Sequence, residues 1–266
     1  MNAVRSALIK IDWIFSSQLG IAPRTLLESL RALPRYVRDW RRFRRMRGGS
    51  VTIVPCLHDW YAKADATNNE YFWQDLLVAR RIFEARPKRH VDVGSRVDGF
   101  IAHVASFREV EMLDVRPISR PVPGIAFKQA DLMKPVPAAM DGEAYCDSLS
   151  CLHAVEHFGL GRYGDPVDPL RYERGIANMA RLLASGGCFY LSTPIGQERV
   201  EFNANRVFDP RTIIRCARAN GLQLQELTVI TANGEVSHAD LSEESLQRLA
   251  LAHYNLGLFT FRKSDH

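Results

Sequence analysis

The stretch HVDVGSRVDGFIAHVA (residues 90–105) decides the fold class that the sequence predicts. It begins as a short apolar strand that stops at a glycine and continues with helical spacing. Beyond it, apolar segments alternate with helical ones, and strands are predicted at 109–115, 125–132, 145–152, 188–194, 222–230 and 255–263. This alternation predicts an α/β fold, a doubly wound sheet that is parallel in its body. The last strand has the pattern of an antiparallel edge partner.

The composition is that of an ordinary globular protein of 266 residues, 46% hydrophobic and 24% charged. These values exclude a collagen-like, low-complexity or wholly disordered chain. The five cysteines are scattered and form no C-x-x-C pair, which indicates reduced thiols rather than disulfides or a zinc ribbon. The most apolar early stretch, residues 6–22, contains Lys10 and Asp12 and is too short to span a membrane. We therefore expect a cytoplasmic protein.

The first fifty residues carry most of the positive charge, with eleven Lys and Arg against three acidic residues. Apolar residues recur at helical spacing after Pro34, where we expect the preceding helix to end or kink. We predict a basic helical N-terminal arm over residues 1–50 and an α/β domain over residues 51–266. The arm suits the anionic inner face of the membrane or a second copy in a homo-oligomer, and a solvated helix face is the plain alternative. Nucleic acid is a weaker candidate partner.

Acidic residues occur at the ends of three successive predicted strands, as Asp92, Asp114 and Asp131. The carboxyl ends of parallel strands meet at one edge of a sheet, where ligands bind. A carboxylate after the second strand can accept both hydroxyls of a ribose, and Gly94 lets the backbone approach a nucleoside. The segment Asp131-Leu132 suits the amino group and face of an adenine. The alternative for each aspartate alone is a helix cap or a closed turn.

Five motifs resemble those of the class I S-adenosylmethionine-dependent methyltransferase superfamily. They are DVGSRVDG (92–99), LDV (113–115), ADL (130–132), CDSLSCLHAVEHF (146–158) and RLLASGGCFYLSTP (181–194). The resemblance implies a Rossmann-like sheet of about seven strands that is closed by an antiparallel hairpin. Two longer segments, residues 71–100 and 157–168, resemble an uncharacterised branch found in bacterial surface-polysaccharide gene clusters.

The resemblance implies a cofactor, an activity and a set of residues. The implied cofactor is S-adenosylmethionine, and the implied activity is O-methylation of a sugar hydroxyl on a nucleotide-linked or lipid-linked glycan. The alternatives are a catalytically degenerate binding or scaffolding protein and a nucleotide-cofactor oxidoreductase, which the missing G-x-G-x-x-G disfavours. The implied cofactor-binding residues are Asp92, Gly94, Ser95, Arg96, Asp114, Val115, Asp131, Leu132 and Cys151.

The glycine loop departs from the superfamily pattern at two positions. Arg96 and Asp98 stand where the superfamily usually has glycines. Arg96 either meets the methionine carboxylate of the cofactor through its guanidinium or is a surface residue without a ligand.

The segment HAVEH (153–157) spells the H-x-x-E-H signature of some zinc proteases. That signature needs a long helix, whereas glycines follow closely here. Ubiquinone-pathway O-methyltransferases carry E-x-x-E-H at this place, so the resemblance offers His153, Glu156 and His157 as ligands of a divalent metal. The spacing would put all three on one helical face. The alternatives are His157 as a general base and a structural role for Glu156 and His157.

The next segment, GLGRYGDPVD (159–168), has the turn residues of a loop that covers a substrate. Arg162 suits a phosphate or a carboxylate, and Asp165 suits a sugar hydroxyl. We therefore expect the chemistry to be carried by His153, Glu156, His157, Arg162, Tyr163 and Asp165.

Overall fold

The computed structural model describes residues 20, 22–47, 52–61, 69–134, 144–202 and 204–265. The chain divides into two compact units, Met1–Ala66 and Thr67–His266. The predicted boundary at residue 50 lies outside the described residues and stays a prediction.

Unit 1 contains helix α1 (Pro23–Arg47) and a short 3₁₀ turn (His58–Tyr61). The helix continues through Pro34, so the expectation that it ends there is wrong. Proline has no N–H, and its cost inside a helix is the hydrogen bond to the carbonyl four residues earlier. Among the helices that the structure describes, none is long and apolar enough to cross a membrane.

Unit 2 is built around a sheet with helices on both faces. Its helices are α2 (Glu70–Ala85), α3 (Ala102–Ala105), α4 (Arg171–Leu182), α5 (Pro210–Arg218) and α6 (Glu243–Leu251). Its strands are β1 (His90–Val93), β2 (Val110–Asp114), β3 (Ile125–Gln129), β4 (Cys146–Leu152), β5 (Leu183–Ile195), β6 (Arg199–Glu201), β7 (Asn205–Val207), β8 (Leu222–Ile230), β9 (Val236–His238) and β10 (Asn255–Lys263).

The main sheet has eight strands in the order β3-β2-β1-β4-β5-β10-β8-β9. The five strands from β3 to β5 are parallel, and β10 lies antiparallel to both β5 and β8. This confirms the predicted Rossmann-like doubly wound sheet and its antiparallel closure. Two details differ from expectation. β10 is an internal strand instead of an edge strand, and β6 and β7 form a separate ribbon.

The fifth strand begins earlier than the sequence predicts. α4 ends at Leu182, and β5 starts at Leu183 and runs through Gly186-Gly187, whereas the sequence predicts a strand only from residue 188. Leu183 is buried and pairs with Cys146 of β4, so the pairing begins before the glycines.

Two apolar clusters cover the two faces of the sheet. On one face, Ile176 and Met179 of α4 and Ile213 of α5 belong to a large cluster with Leu149 and Leu191 of the sheet. On the other face, α2 and α3 contribute to a second cluster that contains Tyr190 and Leu258. Burial on both faces is the pattern of a doubly wound sheet. It fixes the strands whose carboxyl ends form the site.

A substitution of Gly257 tests whether β10 is packed inside the sheet. A Cβ there would lie 2.9 Å from Cγ2 of Ile195 and 2.9 Å from Cε2 of Phe259. We expect Gly257→Ala to lower the free energy of unfolding by about 1–3 kcal/mol, because the packed sheet has no room for the methyl group. Urea unfolding measures it. Ser237→Ala, on the exposed strand β9, is the control and should change little. Equal stability of the two variants would contradict this packing.

Candidate functional site

A cleft of about 550 Å³, counting space open to solvent, lies where β1 to β4 end. The strand order reverses between β1 and β4, and such a reversal opens a crevice at the carboxyl edge of a parallel sheet. Nine of the predicted residues line the cleft, namely Gly94, Asp114, Val115, Asp131, Leu132, His153, His157, Tyr163 and Asp165.

Asp92 lies beneath the cleft and not in its lining. It is completely buried, and its carboxylate accepts hydrogen bonds from the Ser95 N–H (3.0 Å), the Ser95 hydroxyl (2.7 Å) and the Ser150 hydroxyl (2.5 Å). Burial raises the pKa of Asp92 to about 6, although these hydrogen bonds act in the opposite direction. Asp92 and Ser95 therefore shape the loop after β1 from inside.

Gly94 is the point at which the loop after β1 reaches the cleft. Its φ of +74° is in the left-handed region, and a Cβ would lie 3.0 Å from Cβ of Ala154. Its N–H donates to the Leu113 carbonyl (2.9 Å), which ties the loop to β2. Only glycine fits this conformation and this close approach without strain.

Asp114 ends β2 with its side chain almost fully buried, and its carboxylate is held by Arg116. The Arg116 Nε and Nη2 donate to the two carboxylate oxygens at 3.0 and 2.6 Å, and the Arg116 N–H donates to Oδ1 at 2.8 Å. The oxygens predicted to bind a ribose are thus already engaged. A ligand at this position has to share them with Arg116 or displace it.

The segment after β3 forms the third wall of the cleft. Asp131 accepts a hydrogen bond from the Met133 N–H (3.0 Å), which closes a turn and leaves one oxygen 3.5 Å from Lys134 Nζ. Leu132 and Met133 are nearly buried and add an apolar surface to the cleft. An acceptor beside an apolar surface suits the edge and face of a purine ring.

Arg96 and Cys151, like Asp92 and Ser95, are predicted cofactor residues that lie outside the cleft lining. Arg96 is exposed and donates two hydrogen bonds to Asp98, at 3.0 and 2.7 Å. Cys151 is completely buried, and burial raises the pKa of its thiol well above the ordinary value. Neither faces a ligand position in this arrangement.

His153, Glu156 and His157 do come together, but not on an α-helix. His153 follows β4 with a φ of +51°, and only Val155–His157 form a single 3₁₀ turn. Glu156 Oε1 lies 2.8 Å from His153 Nδ1 and 3.7 Å from His157 Nε2, so one buried carboxylate stands between two imidazoles. The expected helical face is therefore wrong, because the strand turns sharply at His153.

His153 is held between two acidic side chains and against one aromatic ring. Its Nε2 lies 3.3 Å from Glu70 Oε1, which also accepts a hydrogen bond from the Tyr254 hydroxyl (2.7 Å). The Tyr71 ring stacks on the imidazole at 4.4 Å between centroids. Burial alone would lower the pKa of His153, but Glu156 and Glu70 outweigh it and raise the pKa to about 9. His153 is thus a buried cation at neutral pH.

The charge of His153 shifts the pKa of Glu156 in the opposite direction. Burial would raise the pKa of Glu156, but its hydrogen bond with His153 and the charge of that imidazole lower the pKa below the ordinary value. The Thr193 hydroxyl lies 3.3 Å from the second oxygen and also donates to it. Glu156 therefore stays ionised although it is fully buried.

His157 differs from its neighbour in charge. Its Nδ1 lies 2.7 Å from the Ala204 carbonyl and donates to it, which leaves the lone pair of the neutral ring on Nε2. Burial lowers the pKa of His157, the nearby Arg162 lowers it further, and Glu156 only partly opposes them. The ring lines the cleft as a neutral base.

The geometry does not support the predicted metal site. Among the residues that the structure describes, no group of three His, Cys, Asp or Glu side chains could hold a metal ion. The reason is that one nitrogen of each histidine already has a hydrogen-bond partner in the protein. Glu156 engages one nitrogen of His153, and the Ala204 carbonyl engages Nδ1 of His157, so the ligand atoms point to protein groups instead of to a common centre.

The loop 159–168 is built around Asp165. This carboxylate accepts hydrogen bonds from the N–H groups of Gly159 (2.8 Å), Gly161 (3.3 Å) and Tyr163 (3.2 Å). The predicted contact of Asp165 with a sugar hydroxyl stays a prediction. Three of the hydrogen bonds that this carboxylate can accept already come from the loop itself. Gly159 has a φ of +75°, and a Cβ there would lie 2.1 Å from the Asp168 carbonyl oxygen.

Arg206 fixes the same loop from behind. It is buried and donates to the carbonyls of Glu156 (3.3 Å), Phe158 (2.6 Å) and Pro169 (3.3 Å). These bonds hold the turn that carries His157.

Arg162 and Tyr163 lie at the mouth of the cleft beside His157. The Arg162 Nη1 donates to the Ala204 carbonyl (2.8 Å) and lies 3.2 Å from Nδ1 of His157. The Tyr163 ring meets the His157 ring edge-on at 5.8 Å, and the Arg116 guanidinium lies 4.8 Å from the Tyr163 ring centroid. An aromatic ring and two cations thus surround the entrance.

Sequence reasoning missed the partners that come from other parts of the chain. Arg116 carried a local signal, since it stands two residues after Asp114 and can reach back to it. Glu70 and Tyr254 carried none, because they are far from His153 in sequence. The fold brings Glu70 to His153, and it brings the Tyr254 hydroxyl to Glu70.

Comparison with known proteins gives distant matches. A family model described as "Caenorhabditis protein of unknown function, DUF268" matches residues 126–256, and no curated protein matches the sequence. Two similar solved structures contain S-adenosylhomocysteine. One is the N-methyltransferase NodS from Bradyrhizobium japonicum WM9 (14% identity, 74% of this chain and 89% of that chain, TM-score 0.49). The other is the 1,6-didemethyltoxoflavin-N1-methyltransferase from Burkholderia thailandensis (16% identity, 92% of each chain, TM-score 0.49).

A third similar structure is CalS10 with bound S-adenosylmethionine, an amino pentose methyltransferase from Micromonospora echinaspora (15% identity, 81% of this chain and 100% of that chain, TM-score 0.47).

The two site histidines should titrate on opposite sides of the ordinary value of about 6.5. We expect the pKa of His153 to be near 9, because two carboxylates stabilise its charge, and the pKa of His157 to be below 6.5, because burial and Arg162 disfavour its charge. NMR titration of the imidazole protons measures both. His153→Asn, which tolerates the positive φ, and His157→Gln assign the signals. The exposed His238 is the control. Two pKa values near 6.5 would contradict the network.

Proposed function

We propose that this protein is an S-adenosylmethionine-dependent methyltransferase that methylates a hydroxyl group. The observation that carries the proposal is the meeting of Gly94, Asp114, Asp131 and a neutral His157 in one cleft at the strand-order reversal. The first three come from different strand ends and suit an adenosine. The fourth suits removal of a proton.

The cleft walls fit the adenosine part of the cofactor. Asp114 supplies carboxylate oxygens at the end of β2 for the ribose hydroxyls, and Gly94 lets the backbone come close on the neighbouring strand. Leu132 and Met133 give an apolar surface for the purine, with Asp131 at its edge. The ribose has to share the Asp114 oxygens with Arg116 or displace its guanidinium.

The chemistry needs only modest help from the protein. The bound cofactor supplies an electrophilic methyl group, and the protein orients the acceptor oxygen toward it. His157 accepts the hydroxyl proton on Nε2, since its Nδ1 is committed to the Ala204 carbonyl. Glu156 faces the imidazolium that forms, at 3.7 Å, and the charged His153 keeps Glu156 ionised.

We further propose a sugar hydroxyl of a nucleotide-linked or lipid-linked glycan in surface-polysaccharide biosynthesis as the acceptor. The motif resemblance supports this choice. The half-exposed Tyr163 ring offers a surface for a sugar, and Arg162 offers a charge for a linked phosphate. Five free cysteines suit the reducing cytoplasm as the site of the reaction.

A degenerate binding protein is the second candidate, and one observation favours it. The Asp114 carboxylate accepts three hydrogen bonds from Arg116, and permanent closure of this ion pair would hinder ribose binding. Binding experiments separate the two candidates.

We expect S-adenosylhomocysteine to bind and Asp114→Asn to weaken that binding about 10- to 100-fold. A ribose would lose a charged hydrogen-bond acceptor, which is worth about 1.5–3 kcal/mol. Arg116→Gln should strengthen binding, because it removes the competing donor. Isothermal titration calorimetry measures all three proteins, with Glu244→Gln, an exposed charge change, as the control. NAD run in parallel tests the oxidoreductase alternative. No binding to the wild type or to Arg116→Gln would favour the degenerate protein.

We expect His157→Gln to lower turnover about 10²- to 10⁴-fold and to leave the affinity for S-adenosylhomocysteine nearly unchanged. Transfer of a labelled methyl group from S-adenosylmethionine to a panel of nucleotide sugars and lipid-linked glycans measures this. The rate should be flat through neutral pH and fall only below about 6.5, because the lowered pKa keeps His157 neutral above that value. A chelator should have no effect. Full turnover of the variant would reduce His157 to a structural role.

A further inference from the structure

Helix α1 carries a row of arginines along one side. Arg31, Arg35, Arg38, Arg42 and Arg45 follow a 4-3-4-3 spacing, which keeps them on one face over about 21 Å. Arg35 and Arg38 contact Asp39. The other three are exposed and have no ion-pair partner among the described residues. We call these five residues the arginine row.

Leucines extend and adjoin the arginine row at the beginning of the helix. Leu27 stands one turn before Arg31, and Leu26, Leu30 and Leu33 occupy the neighbouring face. All four are about half exposed, at 57%, 56%, 57% and 44% respectively. Four exposed leucines beside a row of arginines are unusual for a helix face that only contacts water.

The opposite side of α1 is occupied within unit 1. Ala32 is buried there, and Tyr36 and Phe43 line a groove together with residues of the segment 52–60. The Arg35 guanidinium lies over the Trp60 ring. The helix therefore has one face committed to its own unit, with Arg35 at its border, and a second face that carries the leucines and the four exposed arginines of the row.

We propose that this second face binds the surface of an anionic membrane, with the leucines in the outer acyl region and the four exposed arginines of the row, Arg31, Arg38, Arg42 and Arg45, on lipid phosphates. A guanidinium binds phosphate oxygens in pairs, and an interfacial helix combines such cations with exposed leucines. Charge complementarity selects this occupant. A second copy docked through the same face would bring two arginine rows together, and a nucleic acid would leave the leucines uncovered.

Co-sedimentation of the full chain with lipid vesicles tests the proposal, which does not depend on the methyltransferase activity. We expect binding to phosphatidylcholine vesicles that contain phosphatidylglycerol, and little binding to phosphatidylcholine alone. Salt at about 1 M should weaken it, since it shortens the screening length to about 3 Å. The triple variant Arg31→Gln, Arg42→Gln, Arg45→Gln should bind about 100-fold more weakly, at roughly a factor of five per cation.

Two further variants separate the occupants. The triple variant Leu26→Gln, Leu30→Gln, Leu33→Gln should also lose at least about tenfold in vesicle binding, and glutamine preserves the helix, which circular dichroism checks. The control removes three exposed arginines of unit 2, Arg120→Gln, Arg218→Gln and Arg248→Gln, and should bind as the wild type does. Three results would overturn the proposal. They are no binding to anionic vesicles at low salt, equal losses in the control, and a dimer in light scattering that the leucine variant dissociates.

Discussion

A carboxylate buried inside a parallel sheet has to find hydrogen-bond donors in the protein, and Asp92 finds them in the two segments that form the floor of the cleft. Its oxygens bind Ser95 in the loop after β1 and Ser150 in β4. The Ser95 hydroxyl in turn accepts the Leu152 N–H at 3.3 Å. The loop after β1 and the end of β4 are thus fixed to each other. Gly94 lies between Asp92 and Ser95, and His153 directly follows Leu152, so these hydrogen bonds hold both residues in place.

The catalytic side of the cleft depends on a second buried charge system. Glu156 and Glu70 flank His153, and this alternation of charges allows Glu156 to stay ionised without solvent. His157 stands at the end of this chain of groups and is neutral, because burial and the nearby Arg162 lower its pKa more than Glu156 raises it. Two histidines four positions apart thereby differ in charge. The difference arises from their partners, not from their exposure, since both are mostly buried.

The sequence predicted the strands and the acidic strand ends well, because hydrophobic alternation and strand-end chemistry are local signals. It predicted neither the internal place of β10 nor the early start of β5, since both depend on pairing between distant segments. The same limit applied to the site. The position of Asp114 at the end of a strand predicted its place in the site. Its ion pair with Arg116 was not predicted, because it depends on a side-chain conformation. The helical face expected for 153–157 failed because His153 adopts a positive φ that a helix excludes.

The buried cation at His153 also ties the folded state to the proton concentration. In the unfolded chain this imidazole titrates near 6.5, whereas in the folded chain its pKa is about 9, so the folded state holds the proton more tightly. The stabilisation that this proton gives is complete below about pH 6.5 and is lost as the pH rises through about 9. Above that range, Glu70 and Glu156 face each other across a neutral ring, and α2 is held less firmly to the end of β4. The His153 network thus contributes more to the stability of the folded state in mild acid than in mild alkali.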